Sequence, residues 1–180
     1  MILQKVSEAL SKDEILRIEQ LVKATWPDPK ISTFTDEELL LDFKQLSSGR
    51  TSYLFYEQDM FVGYAETFPR SIETTQGPID CLALATVCVK NEQRGKGIGA
   101  QIVQHIFQCI PSGDARVCLF QTGVPEFYEK LNYKQIDNQF INSNDETNPD
   151  ANPFWDPYVM IYPKSFNWPK GSIDLRGKGF

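Results

Sequence analysis

Apolar residues recur along this chain at two spacings, one of about 3.6 residues and one of two, and the switches between them mark out its elements. Ile2 to Val6 reads as a short strand. Ser11-x-x-Glu14 then forms a capping box that opens a helix, with Ile15, Ile18, Leu21 and Val22 at helical spacing and Pro27 and Pro29 ending it. Thr35-x-x-Glu38 is a second capping box, followed by the stripe Leu39, Leu40, Phe43 and Leu46 and closed by Gly49. Ser52 to Glu57 and Met60 to Phe68 read as strands joined by a hairpin turn at Gln58-Asp59. A polar loop from Arg70 to Gly77 and a long strand from Ile79 to Val89 come next. The helix Ile98 to Ile110 stacks Ile102, Val103, Ile106, Phe107 and Ile110 on one face. Strand Arg116 to Phe120, a short helix, strand Tyr133 to Ile141, a loop from Asn142 to Pro157 and strand Tyr158 to Tyr162 complete the series. The order β-α-α-β-β-β-α-β-α-β-β indicates an α/β (α+β) fold in one domain spanning residues 1–180.

Three alternate glycines, Gly95, Gly97 and Gly99, sit with Arg94 and Lys96 where the long strand gives way to the Ile98 helix. Glycine allows close backbone approach, and the first amides of a helix are unpaired and slightly positive, so this junction is built as a phosphate cradle. A nucleotide-triphosphate loop is excluded, because Gly95-Lys96 is followed by Gly97 where a magnesium-binding Ser or Thr is required. A dinucleotide fingerprint matches Gly95, Gly97 and Ala100, with Asp114 about 20 residues further on. That fingerprint starts directly at the strand end, however, whereas the five residues Lys90 to Arg94 intervene here. A glycine-rich turn without a ligand is the remaining reading.

Arg94-x-x-Gly97-x-Gly99, preceded by Val89-x-x-Glu92 and followed by an apolar helix, resembles the acyl-CoA loop of the GNAT N-acetyltransferase superfamily. Glu126-Phe127-Tyr128-Glu129-Lys130-Leu131-Asn132-Tyr133 resembles the same family's later Phe-Tyr-x-x-x-Gly-Phe segment. Asn132 stands where glycine is usual, a mild departure, since Asn tolerates the positive φ of a helix C′ position. The resemblance is specific from Leu82 to Tyr133 and absent after Ile141, leaving 142–180 as a divergent C-terminal segment.

The resemblance implies a central mixed, mostly antiparallel sheet flanked by helices, with acetyl-CoA as co-substrate. By it, the backbone of Gln93, Arg94, Gly95, Lys96, Gly97, Ile98, Gly99 and Ala100 holds the pyrophosphate. Val87, Cys88 and Val89 pair with the pantetheine arm, and Phe127 also contacts the cofactor. Tyr128 matches the family tyrosine that protonates the leaving thiolate, a role that a phenol of ordinary pKa near 10 suits. The general base is less marked: Glu66, Glu73 and Asp80 lie on or beside central strands, Glu66 being preferred, and Cys81 stands where some relatives carry a glutamate. Each of these residues also has a purely structural reading, as strand core, packed aromatic or solvated carboxylate. Trp26-Pro27-Asp28-Pro29 lies where the family's two opening helices line the acceptor site.

Composition narrows the partners. A net charge of −6 speaks against nucleic acid, whose phosphates demand a basic face, and is compatible with a cationic acceptor. The acceptor that the resemblance implies is a small-molecule amine or a peptide amine. Cys81, Cys88, Cys109 and Cys118 fall within elements and form no Cys-x-x-Cys pair, which suits reduced thiols and a cytoplasmic location. No apolar run reaches membrane-spanning length, His105 has no companions to make a metal site, and a homodimer is compatible with the aromatic-rich ending. Phe154, Trp155, Tyr158, Phe166 and Trp168 predict that this ending folds rather than trails. The expected activity is acetyl transfer to a primary amine by direct attack in a ternary complex. A non-catalytic acyl-CoA sensor or interaction module of the same fold is the alternative.

Overall fold

The computed structural model describes residues 1–29, 33–108 and 117–180. The architecture is mixed α/β, a mostly antiparallel sheet flanked by helices. The chain forms two compact units, Met1–Phe68 with Thr86–Cys109, and Pro69–Ala85 with Ile110–Phe180. Strands β3 (Met60–Thr74) and β4 (Gly77–Val89) contribute residues to both.

In the first unit, β1 (Ile2–Val6) pairs antiparallel with β2 (Thr51–Glu57), which pairs antiparallel with β3. The β2–β3 turn falls at Gln58 (φ 47°) and Asp59 (φ 63°). Two consecutive left-handed residues match the right-handed twist of the strands they join. Helices α1 (Lys12–Thr25) and α2 (Asp36–Leu46) both open on complete capping boxes, Ser11 with Glu14 and Thr35 with Glu38. Each box satisfies two backbone donors that would otherwise be orphaned. Ile15, Ile18 and Leu21 of α1 and Phe43 of α2 close a core with Leu54, Phe61, Tyr64 and Cys88. The third helix, α3 (Ile98–Gln108), lies on the other face of β3. A Cβ at Gly63 would come 2.7 Å from Ile102 Cδ1, so glycine is required for that approach. Residues alternate across a strand, so Gly63 serves α3 while Tyr64 serves α1.

The second unit departs from expectation in two places. Arg70 to Gly77 is not a loop: β3 runs on to Thr74 and the turn comprises only Thr75 and Gln76. Ile72 is 1% exposed, and Glu73 and Thr74 pair with Asp174 and Ile173 of strand β9 (Ile173–Asp174). That partner lies about a hundred residues away, which a local reading of polar residues misses. The expected strand Tyr133 to Ile141 is likewise divided, into β6 (Lys134–Ile136) and β7 (Phe140–Ile141). β6 pairs antiparallel with β8 (Tyr158–Tyr162), whereas β7 pairs parallel with β9. The two stretches thus join different partners, and Asp137 to Gln139 between them belong to neither strand. β5 (Cys118–Thr122) pairs with β8 throughout but with β4 only at Leu82↔Cys118 and Ala83↔Leu119. Short helix α4 (Pro125–Glu129) follows β5, and Asn132 behind it adopts φ 71°, as its C′ position predicts. Arg116, Cys109, Ile110 and Asp114 lie outside the described residues.

The ending is folded into this second unit. Phe154 stacks edge-on between Phe140 and Phe180, at 5.0 and 5.5 Å between ring centroids. Arg70 donates to the Leu175 carbonyl at 2.8 Å, and Trp168 Nε1 donates to Asn138 Oδ1 at 2.9 Å. Trp168, Ile173, Leu175 and Phe180 are all buried. Burying side chains of this size stabilises by about 1.5–3 kcal/mol each, before ordering costs. Truncation at Pro163 is therefore expected to lower the melting temperature by several degrees or to render the protein insoluble. A truncated chain that melts with the full-length protein would show that the ending contributes nothing.

Candidate active site

At the strand-to-helix junction the Gln93 and Arg94 amides are taken, donating to the Lys90 and Asn91 carbonyls at 2.9 and 3.2 Å. β4 ends at Val89, a short 3-10 turn covers Asn91–Gln93, and α3 begins at Ile98. Gly95 and Gly97 have φ of 77° and 79°, and a Cβ on either would meet no atom within 4 Å. Left-handed backbone, not crowding, is what calls for glycine here, and the space over the loop is open. The amides opening α3 have no intrahelical acceptor, and the helix dipole favours negative charge at this end. A pyrophosphate fits such a loop: its oxygens would replace water on those amides without displacing a side chain.

The two cations are partly committed. Arg94 Nε donates to the Val89 carbonyl at 3.0 Å, fixing the loop to the strand it leaves. Lys96 Nζ donates to Gln93 Oε1 at 2.6 Å, an exposed contact that a ligand can replace. Arg94 also lines a cavity of about 410 Å³ with Arg17, Lys90, Glu92 and Asp59.

The end of β4 that leads into this loop reads as ordinary strand in the sequence, yet its backbone is unusual at one residue. Thr86 adopts φ 55° inside an otherwise extended strand. For a β-branched residue this conformation costs about 1–3 kcal/mol and persists only where the surroundings enforce it. The Thr86 side chain meets Glu66 on β3, whose Oε1 accepts from Thr86 Oγ1 at 2.9 Å and from Arg50 Nη1 at 2.6 Å. Its Oε2 accepts from Ser47 Oγ at 3.2 Å and from the Tyr64 hydroxyl at 3.4 Å. Glu66 is 5% exposed. Of the segment that follows Thr86, Val87 is half-buried, whereas Cys88 and Val89 are buried. Burial pushes the Cys88 thiol up to about 12, so it is protonated at neutral pH and unsuited to covalent attack.

Phe127 and Tyr128 belong to the second unit, on α4. Tyr128 is 5% exposed, with Phe120 at 4.5 Å and Phe127 at 4.8 Å between centroids. Burial, with lesser contributions from Cys118 and Asp156, raises its phenol well above the usual range. The hydroxyl therefore holds its proton throughout the physiological range. Nearby in sequence, Gln121 Oε1 accepts from the Trp155 and Asp156 amides, both at 2.8 Å, while its buried Nε2 has no partner among the described residues. The other carboxyls weighed from the sequence have separate settings: Glu73 pairs with Arg176 at 3.2 Å, and Asp80 is exposed. Trp26 is 51% exposed at the end of α1, and residues 30–32 beyond it lie outside the described residues.

Comparison with known proteins bears on the fold that carries these residues. Residues 48–135 match the acetyltransferase (GNAT) domain family. Over that stretch the chain is similar to a GNAT acetyltransferase domain. Solved structures extend the likeness beyond the matched stretch. An aminoglycoside 6′-N-acetyltransferase complexed with coenzyme A superposes with a TM-score of 0.59 at 17% identity, over 94% of this chain and 99% of that one. A type Ii aminoglycoside 6′-acetyltransferase gives 0.58 at 19%, over the same shares, 94% and 99%. A Trypanosoma brucei acetyltransferase gives 0.57 at 19%, over 76% of this chain and 95% of that one. Identities this low establish the fold. No curated protein sequence matches the chain. Among the described residues, no helix is long and apolar enough to cross a membrane, and no cluster of ligating side chains could hold a metal.

The first unit holds one further ionisable group that the sequence did not single out. Glu19, mid-way along α1, is half-buried, and its carboxyl is raised to about 7, chiefly by burial and then by the charge of Asp42. Glu66 adds to the effect and Lys23 opposes it. A single Glu in an amphipathic helix reads as solvated face, and only the packing of α1 and α2 changes that. Because its folded-state pKa exceeds the unfolded one, the folded state binds the proton more tightly. Stability should thus be greatest below about pH 4.5 from this group alone and fall as pH rises toward 7. Glu19→Gln is expected to remove that slope and to raise the melting temperature above pH 7. Melts in a pH series that show the two proteins falling in parallel would place Glu19 in ordinary solvent.

Proposed function

We propose that this chain is an acetyl-CoA-dependent N-acetyltransferase that acetylates a primary amine by direct attack in a ternary complex. The observation that carries the reading is the loop from Gln93 to Ala100, with two left-handed glycines, open space above them and unpaired amides at the start of α3. Acetyl-CoA, when bound, supplies the acyl group as an activated thioester. The chain's part is to hold and to orient. In the stretch from Gln93 to Ala100 the amides from Gly95 onward bind the pyrophosphate, those of Gln93 and Arg94 holding the turn that precedes them, and the Arg94 and Lys96 side chains add charge. The backbone of Val87 to Val89 aligns the pantetheine and polarises the thioester carbonyl. Tyr128 donates its proton to the departing sulfur, a donation that its raised pKa makes weaker than that of a phenol in the ordinary range.

The acceptor is a small-molecule or peptide amine. Glu19 and Asp42 interact electrostatically in the first unit, and carboxyls of this kind attract a cationic amine. Glu19, ionising near neutrality, is suited to take up the amine's proton. Three buried reduced cysteines, Cys81, Cys88 and Cys118, fit a cytoplasmic setting. An acyl-CoA sensor of the same fold remains the second reading, favoured by the full engagement of the Glu66 carboxylate.

Acetyl-CoA at about 100 times its dissociation constant should stabilise the fold by roughly 2.7 kcal/mol, readily seen in a thermal melt. Gly97→Asp should abolish the shift, and Gly97→Ala separates backbone strain from charge. No shift for the wild type at millimolar acetyl-CoA would overturn the assignment. Release of free CoA thiol on adding primary amines distinguishes enzyme from sensor. Tyr128→Phe is expected to lower kcat by about 10²–10⁴ with little change in the KM for acetyl-CoA. A variant within a few-fold of wild type would assign Tyr128 to packing.

A further inference from the structure

Glu66 is the feature of the first unit that the proposed chemistry does not need in the form the structure gives it. A proton acceptor wants a free lone pair facing substrate, whereas both oxygens of Glu66 are taken. Oε1 holds Arg50 and Thr86, and Oε2 holds Ser47 and Tyr64. Tyr64 continues the network to Ser52 at 2.9 Å, and Ser52 to Ser7 at 3.0 Å. Arg50 is itself fixed, its guanidinium 4.2 Å above the Phe68 ring. The one member of this network in a disfavoured backbone conformation is Thr86, immediately before Val87.

We propose that Glu66 is a positioning residue: through its bond to the Thr86 hydroxyl it holds β4 in the left-handed turn that presents Val87 to Val89 to the pantetheine arm of acyl-CoA. The physical logic is that a β-branched residue leaves the left-handed region unless something offsets the cost of staying there. Here the hydroxyl of Thr86 meets a buried carboxylate while φ is positive. The chain order follows: Arg50 and Ser47 fix the carboxylate, the carboxylate fixes Thr86, and Thr86 sets the direction of the next three amides. The ligand named rests on the function proposed above, whereas the clamp itself does not.

Substitutions separate clamp from base. Glu66→Gln can keep every bond, because its Oε1 accepts from Arg50 and Thr86 and its amide donates to Ser47 or Tyr64. It should keep kcat within a few-fold; a loss of a hundredfold or more would make Glu66 the base and overturn the proposal. Thr86→Val keeps shape and strain but loses the bond. It should weaken CoA binding roughly tenfold, as loss of a hydrogen bond to a charged group does, and raise the KM for acyl-CoA more than it lowers kcat. Thr86→Gly removes the strain, so Glu66→Ala/Thr86→Gly should bind CoA more tightly than Glu66→Ala. Where Glu66→Ala does not fold, Thr86→Val against Thr86→Gly makes the same comparison. Amide hydrogen exchange at Val87 to Val89 reads the clamp without any ligand: faster exchange in Thr86→Val is expected, and unchanged exchange would overturn it. A wild-type protein that binds no CoA would instead overturn the function and the ligand named here, with the exchange result still deciding the clamp.

Discussion

A carboxylate taken almost wholly out of water must be compensated by partners, and in this chain the compensation of Glu66 ties distant segments together. Arg50 comes from the residue just before β2, Ser47 from the end of α2, Tyr64 from β3 and Thr86 from β4. An isolated buried ion costs several kcal/mol, so removing any one partner is felt by the others. The pair with Arg50 is short and itself half shielded, which places it among the bonds that specify a structure more than they add to its stability. What it specifies is the left-handed residue in β4. Without a fixed acceptor, Thr86 would relax to extended backbone and the strand after it would turn.

The phosphate loop, by contrast, is built almost wholly from backbone. Arg94 pins its guanidinium to the Val89 carbonyl, so the loop leaves the strand at a fixed angle. Gly95 and Gly97 then supply two left-handed steps that bring the chain into α3 with its first amides exposed. The helix itself is held by Gly63, where only hydrogen leaves room for Ile102. A ligand phosphate would therefore meet amides whose directions are already set by packing on β3, and preorganisation of this kind lessens the entropy lost on binding.

The second unit solves a different problem, the edge of its sheet. β3 is 15 residues long, and its far half would present bare N–H and C=O groups. The C-terminal segment answers this: β9 pairs with Glu73 and Thr74, Arg176 reaches Glu73, and Arg70 holds the Leu175 carbonyl. Aromatics then cover what the strands leave open, with Phe154 between Phe140 and Phe180. Tyr128 sits in a comparable aromatic cluster with Phe120 and Tyr133, and its raised phenol pKa follows from that dryness.

The sequence by itself determined what local chemistry determines. Both capping boxes, the Gln58-Asp59 turn, the positive φ of Asn132 and the glycine loop before Ile98 were legible because each is settled within a few residues. The family resemblance was legible for the same reason, since its two motifs are short and contiguous. Tertiary structure decided the rest. The length of β3 and the division of Tyr133 to Ile141 depend on pairing with β9, and no local pattern encodes a partner about a hundred residues away from β3. Thr86 gave no sign in the sequence, because a threonine in a strand is ordinary and only Glu66 across the sheet makes it otherwise. Glu19 was hidden by the same limit: its burial and its acidic neighbours come from the packing of two helices, and long-range desolvation is a property of the fold, not of the residue.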